Sequence, residues 1–317
     1  MILRGLANSR PQVAYLPHVA LAAALLLLVS CRPGAGKWVR IDPALAALVP
    51  TDTVYLLGAH MESLSRTPAW QKLQTLALPD LNRFTQATGL DPRRDVREVL
   101  VCSNGTGAVT VLRGSFRESD LASKLQSAGA HTLSYKGNTL YVSDHVAVTF
   151  LDSSLAAAGT TAAVERIVDA HDRGGSGLPS ALQALVQTIP ARDQLWAVRA
   201  GGSPGMRFGE NDESRLGSIV QMLRGIRTIV LGIDFSDGLD LSARVQCESD
   251  NDATHIHDAL RGAIGFARLN TPDNHPELLK VYDAIQVSQE KSLVTASASV
   301  SSEQVDQALD VWLKRTR

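Results

Sequence analysis

The sequence is poor in aromatic residues and carries almost no net charge, and each shortage excludes a class of function. Aromatic residues make up 5% of the 317 residues, too few for a surface that stacks the bases of single-stranded nucleic acid. Lys and Arg together number 31 against 32 for Asp and Glu, which excludes a broad basic footprint for nucleic acid. The apolar fraction of 44% is ordinary for a folded protein. The length predicts roughly two domains.

The N-terminal region also lacks an apolar run long enough for a lasting transmembrane helix. Its run, Val19–Val29, has 11 residues and as a helix would span about 16 Å, against roughly 30 Å for the hydrocarbon core of a bilayer. Arg4 and Arg10 precede the run, and residues 1–30 contain no acid. A basic start followed by an apolar run of this length is typical of a secretory signal peptide. We therefore predict that residues 1–30 are removed.

The apolar run ends in Leu28-Val29-Ser30-Cys31: an aliphatic residue, a permissive one, a small one and a cysteine. This order resembles the lipobox of bacterial lipoproteins. The resemblance implies that the sulfur of Cys31 receives a diacylglyceryl group, that cleavage follows Ser30, and that the new amino terminus is acylated. Two or more acyl chains hold a protein stably on a membrane. The alternative is an ordinary secretory signal in which the cysteine falls at this place by chance.

The same resemblance predicts a location outside the cytoplasm, on a membrane of the bacterial cell envelope. Arg32 stands where an Asp favours retention at the inner membrane in lipoproteins, so this position favours the outer membrane. Removal of residues 1–30 takes away two arginines and changes the net charge from −1 to −3. Electrostatic attraction to anionic lipid or nucleic acid is therefore not expected to dominate the function.

Two cysteines remain after Cys31, namely Cys102 and Cys247. An oxidising compartment permits a disulfide between them. Both lie in apolar runs of strand type, where a free cysteine behaves as a small hydrophobic residue. We expect two buried free thiols.

The order of predicted elements occurs twice along the chain. Arg94–Val101 and Arg224–Leu231 share one pattern (Arg, any residue, aliphatic, Arg, any residue, three aliphatics) at an offset of 130 residues. A hairpin signal follows each, Asn104-Gly105 in the first case and Asp237-Gly238 in the second. Coincidence is the alternative, since strands, hairpins and helices recur in many α+β proteins. We interpret the pattern as an internal duplication.

The predicted fold class is α+β, with two tandem repeated modules that are each an antiparallel, hairpin-rich sheet covered by helices on one face. After the signal peptide we predict a tether over residues 31–47, a first module over 48–173 and a second over 178–317. Gly174–Gly177 forms the linker between the modules. The modules either share one continuous sheet or pack face to face. With its signal and repeated pattern, the body resembles the uncharacterised two-repeat envelope lipoproteins of bacterial genomes.

The duplicated arginines are the candidate site residues of the body. Arg94 and Arg97 in the first module correspond to Arg224 and Arg227 in the second. A pair of guanidinium groups is able to bind a carboxylate or a phosphate. The structural alternative, which we favour because structural ion pairs are common, is that each pair bonds carbonyls or acids of its own module.

The sequence shows no familiar catalytic or metal-binding motif. It contains no H-E-x-x-H pair. Gly201–Gly205 has the spacing G-x-S-x-G, but Pro204 interrupts it and it lacks the strand-to-helix context of a nucleophile elbow. His255 and His257 have the most metal-like spacing, but Ser249 predicts a helix start just before them. Residues two apart on a helix point about 200° from each other, so these two imidazoles would not hold one ion. We therefore predict no catalytic residue, no metal and no cofactor.

These observations favour a lipid-anchored envelope protein that serves as a non-enzymatic binding or scaffold module. Its partner protein or ligand would lie in a cleft between the modules, and its contact with the membrane would be made through lipidated Cys31. The alternative is an envelope hydrolase with an active site between the modules, lined by polar loops such as 201–212. A third interpretation is a purely structural spacer with a flat surface between the modules.

Overall fold

A single antiparallel sheet runs through the body of the protein. The computed structural model describes residues 37–74, 85, 90–144, 146–201, 224–271 and 276–316. The strands of this part of the chain are β1 (Tyr55–His60), β2 (Val96–Ser103), β3 (Ala108–Gly114), β4 (His131–Tyr135), β5 (Asn138–Ser143), β6 (Val146–Phe150), β7 (Leu155–Gly159), β8 (Leu195–Ala200), β9 (Ile226–Asp234), β10 (Leu239–Cys247), β11 (Gln286–Glu290) and β12 (Leu293–Val300). Their order across the sheet is β11-β12-β10-β9-β8-β1-β2-β3-β7-β6-β5-β4.

Helices connect the strands. In chain order they are α1 (Pro43–Leu48), α2 (Met61–Leu64), α3 (Pro68–Gln74), α4 (Pro92–Asp95), α5 (Glu118–Ser127), α6 (Thr161–Asp172), α7 (Ser180–Val186), α8 (Asp250–Leu269), α9 (Pro276–Asp283) and α10 (Ser302–Thr316). The predicted start of α8 is confirmed, because the Asp252 N–H donates to the Ser249 hydroxyl over 3.1 Å. Among the described helices, none is both long and apolar enough to cross a membrane.

The two predicted modules meet at the pairing of β1 with β8. These strands are antiparallel, and Leu57 lies opposite Ala197 near the middle of the pair. At one end the His60 N–H donates to the Gln194 carbonyl over 2.8 Å. The strands of the first module lie on one side of this pair and those of the second on the other. Of the two arrangements that the sequence left open, the structure shows the continuous sheet.

Around β2, helices cover both faces of this sheet, so the expectation of one covered face is wrong there. In β10, Asp240, Ser242 and Arg244 on one face are exposed, as that expectation requires. Neighbouring residues of a strand point to opposite faces. In β2, Leu100 packs with Ile167 of α6 and Leu182 of α7, whereas Val99 packs against the cluster that contains Leu121 of α5. The continuous aliphatic run of β2 is typical of a strand that is buried on both sides. The fold is thus α+β with a large antiparallel sheet, as predicted.

The predicted tether over 31–47 is too long. Val39 and Leu45 are buried in the central hydrophobic cluster, and α1 begins within the predicted tether. The Asp42 carboxylate accepts a hydrogen bond from the N–H of Ala44 over 2.8 Å. Asp before Pro43 is a helix-start signal, and the short apolar helix that follows was overlooked. From Lys37 onward the chain belongs to the folded body.

The predicted hairpins are present, but the turn at Asn104-Gly105 has a different form. Strands β2 and β3 are joined by four residues, Asn104–Gly107, in which Gly105 has a φ of +91° and Asn104 is not left-handed. The Asn104 side chain instead accepts a hydrogen bond from the N–H of Gly107 over 3.1 Å. The two-residue turn with both φ angles positive is at Lys136 (+48°) and Gly137 (+79°).

Gly58 and Trp196 face each other across the β1–β8 pair. The Trp196 side chain is 1% exposed, and its indole N–H has no hydrogen-bond partner in the described part of the chain. Packing therefore fixes the position of the indole. A Cβ atom on Gly58 would lie 2.1 Å from two carbons of the ring, so only glycine leaves room for it.

We expect Gly58→Ala to lower the free energy of unfolding by about 1–3 kcal/mol, the usual cost of overpacking a core. Urea denaturation followed by circular dichroism measures this change. Gly107→Ala is the matched control, since a Cβ atom there meets nothing within 4 Å. Equal unfolding midpoints for the two variants would show that the indole does not constrain this strand pair.

Candidate functional site

A cavity of about 470 Å³ lies between the sheet and helices α9 and α10. We call it the apolar cavity, because every residue that lines it has an aliphatic or aromatic side chain. The lining comes from α3, α9, α10, β10, β12 and the two short segments that follow β9 and α9. The lining residues are Ala69, Phe235, Leu239, Leu241, Val281, Ile285, Ala298, Val300, Val305, Ala308 and Leu309.

Strand alternation produces the floor of the apolar cavity. In β10, Leu239 and Leu241 point into it, and the intervening Asp240 points to the other face of the sheet. The pairing of β10 with β12 places Val300 opposite Leu239 and Ala298 opposite Leu241. Directly opposite residues share a face, so four apolar side chains form one patch.

Helix α10 covers the apolar cavity on the side opposite the sheet. Val305, Ala308 and Leu309 follow the i, i+3, i+4 spacing that puts side chains on one helix face. The start of the helix is defined by Ser301: its N–H donates to the Gln304 side chain over 3.1 Å, and its hydroxyl accepts from the Gln304 N–H over 3.4 Å. This reciprocal pair is a capping box, and it sets which face of α10 meets the sheet.

Ion pairs connect α9 and α10, the helices that cover the apolar cavity, to neighbouring helices. Lys72 of α3 lies 3.1 Å from the carboxylate of Asp310 in α10. Arg268 of α8 lies 2.7 Å from the carboxylate of Asp283 in α9. Each such pair on a surface contributes about 0–1 kcal/mol. These charges do not line the apolar cavity, so they position the helices without making the cavity polar.

The apolar cavity is not where the sequence analysis expected a ligand. Apart from Ala69, all of its lining belongs to the second predicted module, whereas the expected cleft lay between the modules. The polar loop 201–212 that was proposed for that cleft lies, after Gly201, outside the described residues. Cys31 lies outside them as well. The hydrolase alternative stays a prediction.

The arginines of the first module bond to groups close to them. The Arg94 guanidinium donates to the Asp95 carboxylate over 2.9 Å, and Arg97 donates to the Gly114 carbonyl over 3.1 Å. Arg94 also lines a second cavity, of about 440 Å³, together with Arg117. Both arginines thus contact an acid or a carbonyl of their own module.

Of the two arginines of the second module, one also bonds to a nearby acid and the other is exposed. Arg227 donates to the Glu248 carboxylate over 2.7 Å, and Arg224 is exposed. Neither lines the apolar cavity. The ligand role proposed for the four arginines stays a prediction. The contacts of Arg94, Arg97 and Arg227 are of the kind that the structural alternative describes.

Both cysteines of the body are buried, and His255 and His257 lie on a helix, as the sequence predicted. Cys102 and Cys247 are free and buried, and burial raises the pKa of Cys102 to about 12, which keeps it a thiol. His255 and His257 lie two residues apart on α8. Within the described ranges, no three His, Cys, Asp or Glu side chains are grouped so that they could hold a metal ion.

Sequence reasoning missed a buried acid beside the module junction. Glu98 of β2 lies opposite His60 of β1, with 3.9 Å between the Glu98 Oε1 and the His60 Nδ1. The backbone N–H of Asp42 donates to both carboxylate oxygens over 3.3 Å. Burial raises the pKa of Glu98 to about 7 and lowers that of His60. An acid within an aliphatic run was the available signal, but its neighbouring arginines suggested a solvated strand.

The raised pKa of Glu98 predicts a pH-dependent stability. The folded protein holds this proton more tightly than the unfolded chain does, so the stabilisation is fully present below about pH 4.5 and is lost as the pH rises through about 7. Glu98→Gln carries no charge at any pH. We expect its stability relative to the unaltered protein to increase from pH 5 to pH 8 by about 1–3 kcal/mol, measured by urea denaturation.

His60 is present in both proteins, so the difference between them reports mainly on Glu98. The matched control is Glu290→Gln at an exposed position, which we expect to show no such pH trend. A constant stability difference for Glu98→Gln across this range would mean that the acid is ionised in the folded protein.

Comparisons with known proteins bear on the fold alone. No family model matches the sequence, and no curated protein matches it. Among solved structures, crystal form III of TP0453 matches with a TM-score of 0.51 and 11% sequence identity, over 85% of this chain and 99% of that one. The fold is similar to that of TP0453.

Two other crystal forms of TP0453 match less closely. Form I has a TM-score of 0.44 with 13% identity and covers 85% of this chain and 98% of that chain. Form IV has a TM-score of 0.46 with 11% identity and covers 85% and 97%. These two values are too low to carry an argument.

Proposed function

We propose that this protein is a lipid-anchored, non-enzymatic protein of the bacterial cell envelope that binds an apolar ligand in the apolar cavity. The observation that carries this proposal is the composition of the lining, in which every residue is apolar. The volume, about 470 Å³, falls in the range of small-molecule sites, roughly 300–1,000 Å³.

The lining defines the chemical class of the ligand. Among the residues that the structure describes, no lining side chain offers a strong hydrogen-bond donor or acceptor. A polar group placed there would lose its bonds to water without replacement. An alkyl chain loses nothing of this kind and gains about 0.8 kcal/mol for each buried methylene. The ligand is therefore a molecule with an alkyl chain, such as a lipid.

The N-terminal sequence supports the location. By its resemblance to a lipobox, Leu28–Cys31 provides a lipid anchor on Cys31. Six residues of chain lead from Cys31 to Lys37, where the folded body begins. Fully extended, they reach at most about 20 Å. An anchored body would therefore stay close to a membrane surface, which supplies molecules with alkyl chains. Arg32 favours the outer membrane.

The order of strands supports the proposed duplication. From the junction outward, the first module runs β1-β2-β3-β7-β6 and the second runs β8-β9-β10-β12-β11. An offset of 140 residues relates β1 to β8 and makes Leu57 the counterpart of Ala197, its partner across the pair. A two-fold axis through that pair would relate the modules, and the hairpin β4–β5 would be an addition to the first.

A fluorescent apolar probe tests the binding proposal. We expect N-phenyl-1-naphthylamine to bind the purified protein saturably, with about one probe per chain. Ala308→Trp should weaken this binding at least 10-fold, because the indole would occupy the apolar cavity. The matched control is Ala263→Trp at an exposed position of α8, which should bind as the unaltered protein does. Circular dichroism verifies that both variants fold. Equal affinities for the two variants would contradict the proposed site.

Mass spectrometry of the native polypeptide tests the anchor. The expected species begins at Cys31 and carries the added mass of a diacylglyceryl group and an N-acyl group. Cys31→Ser, which removes the sulfur that forms the thioether bond, should retain residues 1–30. An intact leader or an unmodified terminus on the unaltered protein would overturn the proposed anchoring, and it would leave the binding experiment unaffected.

A further inference from the structure

A cavity of about 430 Å³, distinct from the apolar cavity, is lined mainly by polar residues. We call it the polar cavity. The cation Arg192 is part of its lining. From the strands, Asp240, Ser297 and Ser299 line it. These residues alternate with the apolar ones of the same strands, and alternate residues of a strand face opposite sides of the sheet. The loop before β8 adds Asp193.

Asp193 is the unusual residue of the polar cavity. Its side chain belongs to a residue that is only 4% exposed, yet no group in the described part of the chain donates a hydrogen bond to its carboxylate. Its neighbour Asp234 is 7% exposed and accepts hydrogen bonds from the Gln194 side chain over 3.0 Å and from the Ser236 N–H over 2.8 Å. The contrast singles out Asp193 as an acid that lacks a donor.

The position of this carboxylate depends on Gly232. A Cβ atom on Gly232 would lie 1.9 Å from the Asp193 Oδ2, so the carboxylate lies directly against the backbone of β9. The Asp193 oxygens are not among the fully buried atoms that lack a partner, so they are open to the polar cavity. A ligand that donates hydrogen bonds from the polar cavity would provide a partner for them.

The charges around Asp193 define the class of ligand. Asp234 and Asp240 add negative charge, and the one nearby cation that acts on Asp193 in the described structure, Arg192, is 3.3 Å from the Asp234 carboxylate. Burial, followed by the charges of Asp234 and Asp240, raises the pKa of Asp193 to about 6. The carboxylate is thus ionised above that pH, where it attracts a cation.

The size and lining of the polar cavity favour an organic cation over a metal ion. The described residues contain no group of three acidic, His or Cys side chains suited to a metal. The volume is that of a small-molecule site. A protonated amine has up to three N–H donors, which match one carboxylate and the two hydroxyls of Ser297 and Ser299.

We propose that the polar cavity binds a small ligand with a protonated amine, whose N–H groups donate to the Asp193 carboxylate. This site lies outside the apolar cavity and does not depend on the function proposed there. Asp193 provides the anchoring charge, Asp240 adds to it, and the serines accept the remaining hydrogen bonds.

Calorimetric titration of the full-length protein with 1,4-diaminobutane tests this proposal. We expect saturable binding at pH 8, at least 10-fold weaker binding at pH 5, and none with the uncharged 1,4-butanediol. Asp193→Asn should weaken the binding at pH 8 at least 10-fold. Asp258→Asn makes the same change in net charge at an exposed position and should leave the binding unchanged.

Asp193→Asn should fold, because it replaces an unpaired buried charge by a neutral amide, and its urea midpoint at pH 8 should equal or exceed that of the unaltered protein. If Asp193→Asn does not fold, the proposal is still tested by the unaltered protein, through the difference between its affinities for the diamine and for the diol. Equal affinity for diamine and diol, no saturable binding at pH 8, or equal losses in the two Asp→Asn variants would each overturn the proposal.

Discussion

The pairing of β1 with β8 is the interaction on which the rest of the structure depends. It joins strands from the two halves of the chain into one sheet, and the close approach of Gly58 to the Trp196 indole fixes how the two strands face each other. Gly58 and Trp196 are buried at this junction. Without the pair, each half would expose a long strand edge, which is a template for association with other chains.

The continuous sheet has a chemical consequence in strand β10. Because side chains alternate along a strand, Leu239 contributes to the apolar cavity and Asp240 to the polar one, while Leu241 lies at the wall of both. Two cavities of opposite chemistry thus share the same strands. Helices α3, α9 and α10 complete the apolar cavity, and the segment before β8 completes the polar one.

Local features of the fold were predictable because their causes are local. The hairpins follow from glycine-containing turns, the start of α8 follows from Ser249, and the burial of Cys102 follows from its apolar run. The continuous sheet was not predictable, since the pairing of β1 with β8 joins residues about 140 positions apart. The coverage of both faces and the short helix α1 were missed for a related reason: short apolar segments acquire their structure from tertiary packing.

The candidate sites were less predictable than the fold. The apolar cavity is formed by side chains of five helices and strands and of two connecting segments, and no spacing in the sequence connects Ala69 with Leu309. Glu98 and Asp193 resemble ordinary surface acids in the sequence, and only burial distinguishes them. The duplicated arginines were the visible pattern, but three of them contact acids or carbonyls nearby.

Amide hydrogen exchange across the junction tests the central claim most directly. If one sheet unites both halves, the amides of β1 and β8 exchange only through global unfolding. Their exchange free energies then equal the free energy of unfolding from urea denaturation and match those of β2 and β9. Faster exchange in β1 and β8 than in β2 and β9 would contradict this account, because it would mean that the halves separate while each remains folded.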